Sequence, residues 1–388
     1  MTLLRPSRIP AEFQYLDGFR AVAALVVVVY HAYLFTGATG SVDRAMPWLG
    51  NIVGWGFLGV PIFIVLSGYV LMLPVAKTDD YSLRGGGWSF IKRRAKRILP
   101  PYYAALAITL LLIVALPIMQ SPSGTQWDTK IPLSPGAVVS HVLMLQDLRP
   151  DWIGKIDGPL WSVAVEWQIY FLMPLVLLPL WRRVRVGWIV ACLGVLTIAA
   201  VLSGIGDFVH PWFVLLFVLG MLAAKLTVRG PIVPRAGVLA LCGIALIPLS
   251  IALRRVTHTS TLGWVEIATG IAIALTLVWA GQESVRTRVP AVLRPLQSRP
   301  MLFLGLISYS IYLLHSPLLG LANLLLAPLH LSVLLNWLLL TLVAAPIAVV
   351  ACWLFFLCVE RHFLNSRQRH ASRTLEGAKL PADLPTAS

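Results

Sequence analysis

The sequence has few charged residues: Asp, Glu, Lys and Arg make up only 12% of its 388 positions, and just 16 residues are acidic. A soluble domain of ordinary composition carries about 25% charged residues, so a water-soluble globular fold is excluded. Hydrophobic residues account for 58% of the chain, and the mean hydropathy is +0.81. These values indicate a polytopic membrane protein.

Cysteine is also scarce, and the four residues all lie within apolar segments. Their spacing matches neither a metal site nor a disulfide framework, so we predict no metal site and interpret them as small apolar fillers. The chain also has no solenoid-type repeat and no glycine-rich phosphate loop. Phosphate binding by such a loop is therefore not predicted.

Apolar segments of roughly the 20 residues needed to cross a bilayer recur ten times. The first could be a signal peptide, because Arg20 precedes its apolar run. We predict that it is retained, because it leads directly into further spans and contains a histidine. The predicted spans lie near 18–36, 50–75, 101–119, 160–180, 186–204, 209–226, 234–252, 262–280, 301–325 and 333–358.

The loops between these spans differ strongly in positive charge. With a cytoplasmic N-terminus, 24 of the 31 basic residues fall on the cytoplasmic side, six fall outside, and Arg20 lies at a helix start. This excess predicts an all-α protein of ten transmembrane helices around a central cavity, with both termini cytoplasmic. It also explains the net charge of +15 without any nucleic acid. Residues 1–360 form the membrane domain, and 361–388 a basic tail predicted to be disordered.

An arginine and a histidine mark the ends of the first span, "FRAVAALVVVVYHA". The eleven residue steps between Arg20 and His31 place both on one helix face, about 16 Å apart along the axis. Ionisable groups at membrane depth are costly and usually face a cavity or a partner. A site is one interpretation; the other is a histidine hydrogen-bonded between helices, with Arg20 extending to the interface.

A carboxylate stands inside the fourth span, in "PLWSVAVEWQIYF". Ser162, Glu166 and Tyr170 recur every four residues and so share one helix face. Glu166 lies about 9 Å below the outer end of its span, where a carboxylate must be protonated or paired. We expect His31 to be its partner.

A further polar stripe occurs in "GLISYSIYLLH", 305–315. Such stripes serve close helix packing more often than chemistry, and the histidine favours chemistry. The stripe consists of Gly305, Ser308, Tyr312 and His315.

Ser67 in the second span lacks the strand, the sharp turn and the nearby His and acid of a serine hydrolase, so it is not predicted to be a nucleophile.

Two segments outside the bilayer core allow alternatives. The basic segment 88–102 sets apolar residues on one face and is predicted to be an interfacial helix that Pro100 and Pro101 end. It can bind anionic lipid headgroups or a polyanionic ligand. The polar interval 120–159 is either a solvated outer loop or the cover of an active-site mouth.

Five segments together resemble the acyltransferase-3 family, the ten-span bacterial membrane O-acyltransferases. They are Arg20 and His31 with ten residues between them, "GVPIFIVLSGY", "FIKRRAKRILPPY", "LWSVAVEWQIY" and "GLISYSIYLLH", in that order. The resemblance extends from about residue 15 to 360. One departure concerns "CVERHF", which lacks the proline that often follows the acid by two positions, so Glu360 is interpreted as structural.

The resemblance implies that acyl-CoA approaches from the cytoplasm and that the basic segment binds its phosphates. It also implies a catalytic pair formed by His31 and Glu166. The implied supporting positions are Arg20, Trp161, Ser308, Tyr309 and His315. The implied acyl-CoA-binding residues are Arg93, Arg94, Arg97 and Tyr102.

The chemistry of such a transfer needs a base, donors for an oxyanion, and exclusion of water. We expect neutral His31 to take the hydroxyl proton, and ionised Glu166 to fix its tautomer and stabilise the imidazolium. The Trp161 N–H or the hydroxyls of Ser308 and Tyr309 are expected to face the oxyanion. An acyl-histidine intermediate is the rival route.

The predicted function is therefore transfer of an acetyl or other short acyl group from acyl-CoA to a hydroxyl of a sugar-containing acceptor. The resemblance implies an envelope glycan or a macrolide-type antibiotic as acceptor, the bacterial inner membrane as location, and no permanently bound cofactor. The alternative is a transporter that uses His31 and Glu166 as a proton relay. A non-catalytic assembly protein would leave both residues unexplained.

Overall fold

The computed structural model describes residues 13–204, 209–257, 262–286 and 288–364. In these ranges the chain is helical, without any β-strand, and a single isolated bridge joins Ala38 to Thr125. This confirms the predicted all-α class. The predicted tail lies outside the described residues, except for its first four positions.

Ten apolar helices form the membrane part of the described chain. Nine are long and apolar enough to cross a bilayer when the helical stretch Pro47–Val75 that ends in α2 is taken as one, and the tenth, α6, is shorter at 17 residues. Each overlaps one of the ten predicted spans, as hydropathy requires. In chain order they are α1 Tyr15–Phe35, α2 Gly59–Val75, α3 Gly86–Ala115, α4 Leu160–Arg183, α5 Val186–Ser203, α6 Trp212–Val228, α7 Ala236–Thr257, α8 Gly263–Arg286, α9 Ser308–Leu326 and α10 Val333–Cys358.

The basic segment is part of a long membrane helix, and the prediction of a separate interfacial helix is wrong. Helix α3 continues through Pro100 and Pro101 without a break. Proline removes backbone donors, but a helix packed among other membrane helices tolerates it, because neighbouring groups satisfy the freed carbonyls. Consequently Arg94 and Arg97 lie half-buried in the first part of α3, whereas Lys92, Arg93 and Lys96 are exposed.

The predicted span at 301–325 is divided in two. A short helix, Arg299–Leu306, ends at Ile307, and α9 begins at Ser308. The short helix packs on α1 so closely that a Cβ on Gly305 would lie 2.1 Å from the carbonyl oxygen of Asp17. The break therefore lets α9 take its own direction and bring its polar stripe into the bundle.

The interval 120–159 packs onto the membrane helices. Trp127 is fully buried, and its ring lies 6.4 Å from that of Phe35 at the end of α1. Lys130, Asp147 and Asp157 are also buried. Of the two sequence interpretations, the structure favours the cover over the solvated loop.

Helices α2 and α6 approach each other closely at two glycines, where backbone packs against backbone. A Cβ on Gly68 would lie 2.1 Å from the carbonyl oxygen of Phe217, and one on Gly220 would lie 2.1 Å from that of Val65. Small residues let membrane helices approach in this way. The contact fixes the rotation of α2 and so the direction of Ser67.

We expect Gly68→Ala to destabilise the protein by about 1–3 kcal/mol, the usual effect of overpacking, because the new methyl group would push the two backbones apart. The measurement is thermal unfolding of the purified protein in detergent. Gly194→Ala in α5 is the matched control, since no atom lies within 4 Å of the place that its new methyl group would take. Equal unfolding temperatures for the two variants would contradict the proposed contact.

Candidate active site

Helices α1 and α9 bring two histidines into contact. The Nε2 atom of His315 lies 3.2 Å from Nδ1 of His31, and the rings are 4.7 Å apart. His31 Nδ1 also lies 2.9 Å from the Val27 carbonyl oxygen, and His315 Nδ1 lies 2.8 Å from that of Ile311. Since a carbonyl oxygen only accepts, both imidazoles carry their proton on Nδ1.

This tautomer leaves the Nε2 lone pair of His31 available. His315 is completely buried, whereas His31 keeps part of its surface exposed. The structure thus gives His31 the properties of a base, with Nδ1–H held by a backbone carbonyl and by the lone pair of His315. We call His31 and His315 the histidine pair.

The carboxylate of Glu166 has other partners than the predicted one. It accepts hydrogen bonds from the Tyr170 hydroxyl at 2.5 Å and from the hydroxyl of Ser67. Arg94 lies within electrostatic range of both Glu166 and Tyr170. We call Ser67, Arg94, Glu166 and Tyr170 the glutamate cluster.

A buried hydroxyl pair separates the two groups. Ser162 and Tyr312 contact each other at 2.5 Å; Ser162 lies one helical turn from Glu166, and Tyr312 one turn from His315. Among the described residues no hydrogen bond or ion pair joins His31 to Glu166. The expectation that Glu166 fixes the tautomer of His31 is therefore wrong, because α9 comes between α1 and α4 and supplies His315 instead.

The supporting residues occupy different places. The hydroxyls of Ser308 and Tyr309 donate to the carbonyls of Gly305 and Ile98, so neither is free for an oxyanion. Trp161 stacks on His210 with ring centroids 4.1 Å apart, and its indole N–H makes no hydrogen bond in the described structure. Arg20 pairs with Asp17 at 2.9 Å, away from the histidine pair.

The basic residues of α3 differ in what they bind. The Arg93 guanidinium donates to the Ser89 hydroxyl and the Arg84 carbonyl on the exposed side. Arg97 pairs with Glu360 at 2.6 Å. In contrast, Nε of Arg94 and Nη1 of Arg97 are buried without a hydrogen-bond partner in the described structure, which points to an anionic ligand there.

Tyr102 and Glu360, which lie close to the basic residues of α3, have structural roles. Tyr102 is completely buried and its hydroxyl donates to the His141 carbonyl and accepts from Gln146. Both groups belong to the outer cover, so Tyr102 is not free to bind a ligand that enters from the cytoplasm. Glu360 also accepts from the Ser310 backbone, which agrees with its structural interpretation.

Sequence reasoning missed four residues near the site. Ser67 was rejected as a nucleophile and interpreted as part of the helix packing, although a hydroxyl inside a span is itself a signal for a partner. Tyr312 stood in the polar stripe without a role. Lys130 and Asp157 lie in the outer interval, and only the fold shows that they are buried.

Residues 13–357 match the family model acyltransferase-3, described as an acyltransferase domain. The chain belongs to the acyltransferase-3 family. The match covers every helix of the bundle, and with it the histidine pair and the glutamate cluster. No solved structure matches the chain.

Curated relatives of this acyltransferase-3 chain match over parts of their length. A Bacillus subtilis protein provisionally named a peptidoglycan O-acetyltransferase is 30% identical over 42% of the chain and 23% of its own length. A Staphylococcus aureus protein provisionally named an O-acetyltransferase is 28% identical over 45% of the chain and 27% of its own length. "Protein 2 in picA locus" of Rhizobium radiobacter is 30% identical over 42% of the chain and 77% of its own length. The chain thus spans about a quarter of the first two.

Proposed function

We propose that this protein is a membrane O-acyltransferase that moves a short acyl group from acyl-CoA to a hydroxyl of a sugar-containing acceptor. The observation that carries the proposal is the contact geometry of His31 Nδ1, which leaves the Nε2 lone pair of this half-buried side chain unused among the described residues, inside a bundle of the acyltransferase-3 family. The provisional names of the Bacillus subtilis and Staphylococcus aureus relatives support O-acetyl transfer.

In the proposed reaction, Nε2 of His31 removes the acceptor's hydroxyl proton while the oxygen attacks the thioester carbonyl. The imidazolium that forms is stabilised at Nδ1–H by the Val27 carbonyl and the lone pair of His315. The negative charge of Glu166 favours the imidazolium through the buried hydroxyl pair of Ser162 and Tyr312, in a medium where charges are poorly screened. The CoA thiol then leaves with the proton from His31.

The donor enters at the cytoplasmic end in this proposal. Arg94 and Arg97 hold the CoA phosphates with the guanidinium atoms that lack partners in the described structure, as planar guanidinium groups do. Trp161 supplies the indole N–H for the oxyanion. An envelope glycan of a bacterial inner membrane is the acceptor class that the Bacillus subtilis relative's name supports; a macrolide acceptor is a prediction from the resemblance alone.

We expect purified protein in liposomes to transfer label from acetyl-labelled acetyl-CoA to added muropeptides, and free CoA thiol to appear at the same rate. The acyl group reacts only where a base and a dry lumen meet, so empty liposomes give neither product. Movement of unmodified muropeptide across the bilayer without acetyl-CoA would favour the transporter instead. Absence of CoA release with acyl-CoA of any short chain would contradict the proposal.

A further inference from the structure

A second set of buried polar groups lies over the histidine pair, on the side of the outer cover. Both carboxylate oxygens of Asp157 and the hydroxyl of Ser316 are buried without hydrogen-bond partners in the described structure. Ser316 follows His315 directly in α9, and its hydroxyl interacts with the Asp157 carboxyl without the geometry of a full hydrogen bond. Asp157 and Lys130 are both buried, and they interact electrostatically.

The outer cover holds these groups at a fixed place. Trp127, three residues before Lys130, contacts Phe35 of α1, and a Cβ on Gly320 of α9 would lie 2.5 Å from its ring. Phe35 lies one turn after His31 in α1, so the segment of Lys130 covers the histidine pair. The backbone N–H of Ile156 donates to the Lys130 carbonyl at 3.0 Å and joins the two parts of the cover.

These charges do not simply neutralise each other. The ion pairs of the described residues do not include one between Lys130 and Asp157. Burial raises the pKa of the Asp157 carboxyl to about 7 and lowers that of the Lys130 ammonium to about 8. A buried carboxylate without a hydrogen-bond partner is costly, so Asp157 gains from a polar ligand placed against it.

We propose that Asp157, Lys130 and Ser316 form the acceptor subsite, which binds the hydroxyls of a saccharide next to the reactive one. This rests on the proposed acyl transfer. The Asp157 carboxylate accepts hydrogen bonds from sugar hydroxyls, the Lys130 ammonium donates to sugar oxygens, and Ser316 can do either. A sugar offers adjacent hydroxyls that both donate and accept, which suits a carboxylate and an ammonium side by side. The donor and the acceptor thus reach His31 from opposite sides of the bundle.

The test is the Michaelis constant for each substrate in purified wild-type protein and Asp157→Asn. The donor is labelled acetyl-CoA, and the acceptors are muropeptides, chitotetraose and methyl glycosides. We expect the acceptor KM to rise at least tenfold in Asp157→Asn, and the acetyl-CoA KM to stay within twofold. Asp151→Asn is the matched control, because Asp151 lies in the same cover with an exposed side chain.

Gly158→Ala tests the same subsite without changing a charge. A Cβ on Gly158 would lie 2.8 Å from Nζ of Lys130, so the flexible ammonium must move while the fold is kept. We expect this variant to raise the acceptor KM at least fivefold and to unfold at the wild-type temperature. If acceptor KM is unchanged in both variants, or if both KM values and the unfolding temperature change together, the subsite is refuted.

The same measurements separate this inference from the proposed function. If wild-type protein does not release CoA from acetyl-CoA, the acyl-transfer proposal fails and the subsite with it. If CoA is released in a reaction that needs His31 and the labelled acyl group is recovered on an acceptor that is not a saccharide, acyl transfer stands and the saccharide subsite is refuted.

Discussion

His31→Gln is expected to lower the rate of acyl transfer by about 1000-fold, within the range that general base catalysis supplies. Glutamine keeps a polar side chain of similar size, but it has no nitrogen lone pair that can take the hydroxyl proton. The measurement is kcat for transfer of label from acetyl-CoA to a saccharide acceptor. Binding of CoA by calorimetry is expected to be unchanged, because the guanidinium atoms of Arg94 and Arg97 that lack partners lie on α3.

Two further variants distinguish loss of the base from loss of its partner and from a change in the fold. His330→Gln is the matched control, since His330 is exposed in the turn between α9 and α10. His315→Gln removes the ring whose lone pair faces His31 Nδ1 but keeps the base, so its loss is expected to be smaller, about 10-fold to 100-fold. A His31→Gln protein that transfers acyl groups at the wild-type rate would eliminate His31 as the base.

Glu166→Gln is expected to lower kcat by about 100-fold, because the variant keeps a side chain of the same shape and removes the charge that favours the imidazolium. The amide oxygen can still accept from Ser67 and Tyr170, so the helix contacts of the glutamate cluster are kept. The KM values are expected to change less than kcat, since the charge acts on the protonated state of His31.

The control for this variant is Glu283→Gln, an acid at the far end of α8. Thermal unfolding of Glu166→Gln at the wild-type temperature would show that the cluster is folded. A proportional loss of kcat and of unfolding temperature would mean that Glu166 acts through stability alone, and an unchanged kcat would remove it from the mechanism.

The fold was largely predictable from hydropathy, because each apolar run must form a helix to satisfy its backbone in the membrane. Proline was the exception. Pro100 and Pro101 predict a helix end from local rules, but α3 continues through them, since packing inside the bundle outweighs the local preference. The break at Ile307 lies next to the close contact of Gly305 with α1.

The candidate site was predicted in part. The positions of His31, Glu166 and His315 within spans were visible, because a charge at membrane depth stands out from its sequence neighbours. Their partners were not visible: residues 284 positions apart in the chain, His31 and His315, form one contact, and no local pattern pairs them. Asp157 could not be distinguished from its loop neighbours, because burial depends on how the outer cover packs.

The most direct test of the proposed mechanism is a cryo-electron microscopy structure in nanodiscs with the ketone analogue of acetyl-CoA, which cannot be cleaved. A hydroxyl oxygen must fit between base and carbonyl, so we expect the carbonyl carbon within about 6 Å of His31 Nε2. We also expect the diphosphate on Arg94 and Arg97. A carbonyl bound elsewhere in the bundle, or His31 Nε2 turned toward lipid, would contradict the mechanism.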